Sequence, residues 1–125
     1  MDNTPNLYSD VNSYRKKCGL PSNTTVGLLD NELKSLHEDL IIDGSFKVLI
    51  GGETKNIEKI LDGALSTIYG CLEYIIAMGI DEQSFKRLWG YVHIMYMCNN
   101  EDSRPELDTS EDALKKAIGY KELDA

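Results

Sequence analysis

Residues 55–79 read KNIEKILDGALSTIYGCLEYIIAMG and carry apolar side chains at helical spacing throughout. At about 100° per residue, these side chains form one broad apolar stripe along a helix. Four polar residues fall together on one flank of that stripe: Asp62, Ser66, Tyr69 and Glu73. Polar groups beside a buried stripe are where helical bundles build sites, although they are also ordinary boundary residues between core and water. The stretch therefore predicts a long central helix that ends at Gly79, with a candidate site on its flank.

The composition is that of a soluble globular protein, with 42% hydrophobic and 27% charged residues in a chain of 125. A chain of this length predicts one domain, residues 1–125, with a core at about 6–98 and a tail at 99–125. No run of about 18 apolar residues exists, so we expect no transmembrane helix. The polar N-terminus resembles no signal peptide, and we expect a cytoplasmic protein.

The charge balance limits the possible partners. The net charge is −8, from 21 acidic and 13 basic residues, which disfavours direct binding to a nucleic acid. A divalent cation or a basic protein partner suits this balance better. The three cysteines form no CxxC pair and are expected to be reduced thiols.

Helical periodicity continues on both sides of the central helix. A first helix is predicted over residues 6–18, with Leu7, Val11 and Tyr14 on its apolar stripe. A second is predicted to begin after Asn23 or Thr24 and to end before residues 43–44. The apolar run 46–50 could be a strand, but a single strand has no partner here, so we expect a loop that packs on the bundle.

The remaining elements complete an all-α prediction of four main helices and a short C-terminal one. We expect Thr54 to cap the central helix and Asp81 to cap the fourth. Residues 99–109 are predicted to be a linker, and residues 111–118 a short helix. Gly63 and Gly70 inside the central helix each cost up to about 1 kcal/mol relative to alanine, which implies close approach of another helix or a ligand.

No short motif identifies a reaction. His37 and His93 are isolated, and no P-loop, GxGxxG or GxSxG sequence is present. The fourth helix has more Met and aromatic residues than one core stripe needs. These residues are typical of a second interface, as in an oligomer, or alternatively of a base-stacking wall.

The order of four segments resembles the MazG-like all-α nucleoside triphosphate pyrophosphohydrolases, particularly the small phage-type members. The segments are LLDNELKSLHEDL, ILDGALSTIYGCLEYIIAMGID, FKRLWGYVHIMYMCNN and GYKELD. The second is similar to the family phrase aDaLaDllYv…alGid, and the last to GYkxPD. The resemblance covers residues 10–124. It implies a MazG-like helical bundle that forms a dimer or a higher assembly.

In such enzymes, carboxylates on two facing helices hold Mg²⁺, which binds the nucleotide phosphates and activates water. The family pattern EExxE falls on residues 31, 32 and 35 here, where only Glu32 is acidic. The pattern ExxD falls on Gly63 and Ser66, so both carboxylates are missing. Asp62 is acidic here, as the corresponding position often is in phage-type members of the family. The Asn and Lys of the family pattern in the fourth helix correspond to Tyr96 and Asn99 of this chain.

The resemblance therefore implies a degenerate enzyme that acts as a non-catalytic nucleotide- or protein-binding module. A phage accessory protein would fit this description. Candidate nucleotide-binding residues are Ser66, Tyr69, Tyr96 and Asn99. Candidate metal ligands are Glu32 and Asp62, with Asp39 and Glu73 as further candidates, and Mg²⁺ is the expected cofactor only where this site functions. One alternative is an active Mg²⁺-dependent pyrophosphohydrolase with a rebuilt carboxylate site. Another is an acidic inhibitor of a host protein.

Overall fold

The computed structural model describes residues 6–98, and this part of the chain is helical with no strand. The helices are α1, Leu7–Lys17; α2, Asn31–Glu53; α3, Ile57–Ala77; and α4, Glu82–Met97. The prediction of an all-α protein with four main helices is confirmed. The predicted linker 99–109 and short helix 111–118 lie outside the described residues.

The chain divides into two compact units. The first, Met1–Gly79, contains α1, α2 and α3, and the second, Ile80–Ala125, contains α4. No residue of α4 is buried. The single-domain organisation stays a prediction, and the candidate site described below belongs to the first unit.

Each helix begins at a side-chain cap whose oxygen accepts a hydrogen bond from a backbone N–H three residues later. The caps are Asn6, Asp30, Asn56 and Asp81, with N···O distances of 3.0, 2.9, 3.1 and 2.8 Å. The predicted cap Asp81 is confirmed, and α3 stops close to Gly79, whose φ is +91°. The prediction of Thr54 as the cap of α3 is wrong, because Thr54 ends α2 instead.

The predicted start of the second helix after Asn23 or Thr24 is also wrong. The segment before α2 bonds to the end of α3: the Asn23 N–H donates to the Ala77 carbonyl at 2.8 Å, and the Gly27 N–H to the Met78 carbonyl at 3.0 Å. These bonds satisfy C-terminal carbonyls of α3 that would otherwise lack a partner. The chain is therefore held in a non-helical conformation until Asp30 caps α2.

Helix α2 does not end before residues 43–44, and the predicted loop at 46–50 is helical. The reason lies in its glycines, which pack against the backbone of α3. A Cβ built on Gly44 would lie 2.9 Å from the Thr67 nitrogen, and one on Gly51 would lie 2.8 Å from the Ile60 nitrogen. Close packing of the two helices thus offsets the low helix propensity of glycine.

Gly63 of α3 takes part in the same contact. A Cβ on Gly63 would lie 2.6 Å from the Val48 nitrogen and 2.7 Å from the Gly44 carbonyl oxygen. The predicted close approach at this glycine is confirmed. At Gly70 a Cβ would be 3.5 Å from Ile41, an ordinary contact. The tight part of the α2–α3 hairpin is therefore its half near the connecting turn.

The buried stripe of α1 differs from the predicted one. Tyr8, Val11 and Arg15 are buried, whereas Leu7 and Tyr14 of the predicted stripe are exposed. A charged Arg15 can replace an apolar residue because Glu73 and the carbonyl of Pro21 receive its guanidinium.

By length and composition alone, α3 is apolar enough to cross a membrane, with 21 residues and a mean hydropathy of 1.3. A core helix passes the same test, so one such helix is weak evidence. It is not enough to call the protein membrane-bound. A soluble protein is compatible with this finding, and a cytoplasmic location stays a prediction.

Candidate functional site

A groove runs along one side of the α2–α3 hairpin, where the glycine contacts hold the two helices close together. Its volume is about 310 Å³. The residues that line it are Leu40, Asp43, Gly44 and Lys47 of α2 and Ser66, Tyr69, Gly70 and Glu73 of α3. We call these eight residues the groove. It combines one ammonium group and two carboxylates with the hydroxyls of Ser66 and Tyr69, so its polar side chains can both donate and accept hydrogen bonds.

Two of the predicted nucleotide-binding residues meet in this groove. Ser66 and Tyr69 both line it, one turn apart on α3. Tyr96 belongs to α4 in the second unit, and Asn99 lies outside the described residues. The structure therefore brings together half of the predicted nucleotide site, and the role of all four residues stays a prediction.

The predicted metal ligands are spread along the hairpin. Asp62 pairs with Lys47, with a distance of 3.3 Å between carboxylate and ammonium. Glu32 lies in the first turn of α2, fifteen residues before Lys47, which is about 22 Å along the helix at about 1.5 Å per residue. Asp39 lies about 12 Å before Lys47 by the same rise. Glu32 and Asp62 are thus too far apart to share one metal ion.

Carboxylates do not gather elsewhere in the part of the chain that the structure describes. Within residues 6–98, no group of three or more His, Cys, Asp or Glu side chains could hold a metal ion. Glu73, the last predicted metal ligand, forms an ion pair with Arg15. The described residues therefore offer Mg²⁺ no shell made of several protein oxygens.

The Arg15–Glu73 ion pair is buried between α1 and α3. The Arg15 Nη1 lies 3.7 Å from the Glu73 Oε1, and both side chains are over nine-tenths buried. Arg15 Nη2 also donates to the Pro21 carbonyl and to the Ser22 hydroxyl at 3.4 Å. Burial raises the pKa of the Glu73 carboxyl, and the positive charge of Arg15 opposes that rise. The pair ties α1 and the following turn to α3.

His37 of α2 is buried next to this pair. Its ring lies against that of Tyr74, with 5.6 Å between ring centroids. Burial lowers the pKa of His37, and the charge of Arg15 lowers it further, so both favour the neutral imidazole. On the α1 side, Tyr14 and Tyr69 meet edge to face at 5.7 Å between ring centroids. These aromatic contacts pack α1 and α2 against α3.

Several of these residues were not predicted from the sequence. Arg15 and His37 are buried beside Glu73, and Asp43 and Lys47 line the groove. Arg15 could have been found from its spacing with Tyr8 and Val11, which places all three on one face of α1. Lys47 could not, because it falls in a segment predicted to be a loop.

No family model, curated protein or solved structure matches the chain. The resemblance to the MazG-like enzymes stays a prediction that depends on the sequence segments alone.

Proposed function

We propose that this protein is a non-catalytic binding module of the MazG-like type, which assembles with a second copy of itself through its α2–α3 hairpin. The observation that carries this proposal is the large apolar surface of the hairpin. Large apolar residues at least two-fifths exposed are Leu36, Leu40, Ile42, Phe46, Leu49, Ile50, Ile57, Leu61, Leu65 and Ile68. Exposed apolar surface of this extent is typical of an interface.

The side of the hairpin opposite the groove is the best candidate for that interface. At about 100° per residue, Ile42 and Leu49 of α2 and Ile57 and Ile68 of α3 project on this side. They are 50, 63, 71 and 47% exposed. We call these four residues the apolar face. A twofold dimer would cover the same face on both copies, so each of these side chains would be buried once in each copy.

The size of the effect can be estimated for Leu49. Complete burial of a leucine side chain contributes about 1.5–3 kcal/mol. Leu49 is 63% exposed, so burial of this side chain in both copies would contribute about 2–4 kcal/mol to the free energy of dimerisation. That range corresponds to tens to hundreds of fold in the dissociation constant.

Two observations favour binding over catalysis. The first ExxD carboxylate of the resembled family falls on Gly63, where a Cβ would lie 2.6 Å from the backbone of α2, so this position has no room for a metal-binding side chain. In addition, Asp62 pairs with Lys47, and Glu73 with Arg15. Carboxylates held by cations on the protein are less available to Mg²⁺.

Sedimentation equilibrium of the full chain tests the assembly. The wild type is expected to sediment as a dimer or larger at micromolar concentration. Leu49→Glu would place a charge in the buried interface and should give a monomer. Ser66→Glu adds the same charge on the groove side of the hairpin and should leave the assembly unchanged. A monomeric wild type, or equal masses for both variants, would rule out this interface.

Nucleotide binding is a second candidate function, favoured by the presence of Ser66 and Tyr69 on the groove. A ligand that binds the native state raises the melting temperature by mass action. We expect any stabilisation by a nucleotide to be independent of Mg²⁺ and to be lost in Tyr69→Ala. Stabilisation that requires Mg²⁺ and nucleotide together would instead indicate a working metal site.

A further inference from the structure

A second hollow lies beside the groove, between α1 and the first half of α2. Its volume is about 240 Å³. We call it the cavity, and its lining residues are Tyr14, Arg15, Leu20, Pro21, Leu33, Leu36, His37, Leu40 and Glu73. A cavity of about 150 Å³ lined by apolar side chains can bind benzene. The present one therefore has room for a somewhat larger organic molecule.

The polar residues of the cavity have unused hydrogen-bonding capacity. Nε and Nη1 of Arg15 and Nδ1 of His37 are buried without a hydrogen-bond partner. In a guanidinium group, Nε carries one N–H and Nη1 carries two. The Glu73 carboxylate lies 3.7 Å from Nη1, which is an ion pair but not a hydrogen bond.

Buried polar groups without a hydrogen-bond partner destabilise a folded protein. A buried polar group without a partner typically costs about 1–3 kcal/mol, and more when it is charged. Arg15 and His37 are each only 2% exposed, so bulk water does not satisfy them. The donors of Arg15 require an acceptor atom, and apart from Glu73, His37 and the Tyr14 hydroxyl the wall consists of leucine and proline residues.

We propose that this cavity binds a small apolar molecule that ends in an acceptor oxygen, with the oxygen directed to the Arg15 guanidinium and the apolar body against the leucines. The charges of Arg15 and Glu73 cancel, so the oxygen can belong to a neutral carbonyl or to a carboxylate. This site is separate from the apolar face and does not depend on the assembly of the protein.

Four related compounds test the chemistry in an NMR titration of the full chain. The probes are 3-phenylpropionamide, 3-phenylpropionate, propylbenzene and phenethylamine. The first two have an acceptor oxygen, whereas propylbenzene and the ammonium form of phenethylamine have no acceptor for the Arg15 donors. We expect the amide or the acid to shift the resonances of His37 and Leu36. The other two compounds should bind at least tenfold more weakly, because a hydrogen bond to a charged donor is lost.

Substitutions locate the site. Arg15→Met removes all the donors of the guanidinium, and it should abolish the preference for an acceptor oxygen. If that variant does not fold, Leu36→Trp enlarges a lining side chain that is not part of the ion pair and should weaken binding at least tenfold. Ser35→Trp adds the same side chain at the neighbouring exposed position and should bind normally. Equal binding of propylbenzene, tighter binding of the amine, no binding by any probe, or equal effects of the two Trp variants would overturn the proposal.

Discussion

Replacement of Gly63 by alanine would test the close contact between α2 and α3. A Cβ at this position would lie 2.6 Å from the Val48 nitrogen, about 0.8 Å inside the 3.4 Å at which ordinary contacts begin. Two of the three nearest atoms are backbone atoms of α2 and the third is the Cβ of Lys47, so a side-chain rotation cannot relieve the clash. The two helices must move apart, and the contact that holds the hairpin would be weakened over several residues.

Two opposing effects set the magnitude. Alanine favours the helix by about 1 kcal/mol relative to glycine. Overpacking typically costs about 1–3 kcal/mol. Where the two helices are pushed apart by 0.5–1 Å, about a quarter to a half of the dispersion attraction between them is lost. Because the clash is with backbone atoms, we expect the cost to exceed the gain. Gly63→Ala should lower the free energy of unfolding by about 2 kcal/mol.

Gly70 provides the matched control on the same helix. Its Cβ would be 3.5 Å from the nearest atom, on Ile41, so only the helix-propensity gain remains. Gly70→Ala should raise the free energy of unfolding by up to about 1 kcal/mol. Urea unfolding followed by circular dichroism, at one protein concentration, measures both values. Equal stability of the two variants, or a stabilising Gly63→Ala, would refute the proposed hairpin contact.

Three further predictions concern the capping of α2, the buried histidine and the hydrolysis of nucleoside triphosphates. Asp30→Ala should lower the free energy of unfolding by about 1 kcal/mol, whereas Thr24→Ala should change it little; urea titrations that show the reverse would contradict the observed cap. His37 has a pKa below its ordinary value of 6.5, so the unfolded chain binds its proton more readily. Stability should therefore fall as pH is lowered below about 6.5, and His37→Gln, measured against wild type over the same pH range, should reduce that fall. With Mg²⁺ and nucleoside triphosphates, pyrophosphate release should be slow or absent, and robust release abolished by Asp62→Ala would indicate a rebuilt metal site.

The sequence predicts the helical class well because periodicity depends on local spacing. The boundaries of α2 were missed because they depend on partners distant in the chain. Asp30 begins the helix since the preceding segment is bonded to the end of α3. Gly44 and Gly51 usually weaken a helix, but here the backbone of α3 packs against them. Contacts of this kind cannot be derived from propensity alone.

The candidate site could be predicted only in part for a related reason. Ser66, Tyr69 and Glu73 belong to one flank of α3, and helical spacing is enough to group them. Arg15 reaches Glu73 from α1, and His37 lines the same cavity from α2, so their positions depend on tertiary packing. The spacing of Glu32 and Asp62 likewise follows from the antiparallel hairpin, which places them at different levels.

The most direct test of the proposed assembly is photo-cross-linking from the apolar face. A photoreactive phenylalanine analogue in place of Leu49 would contact the second copy, whereas the same analogue in place of the exposed Lys47, on the groove side of α2, would not. Irradiation of the purified full chain should give a covalent dimer from position 49 in much higher yield than from position 47. Mass spectrometry should place the cross-link within α2 or α3 of the second copy. Absence of a covalent dimer from position 49, or equal yields from both positions, would contradict assembly through this face.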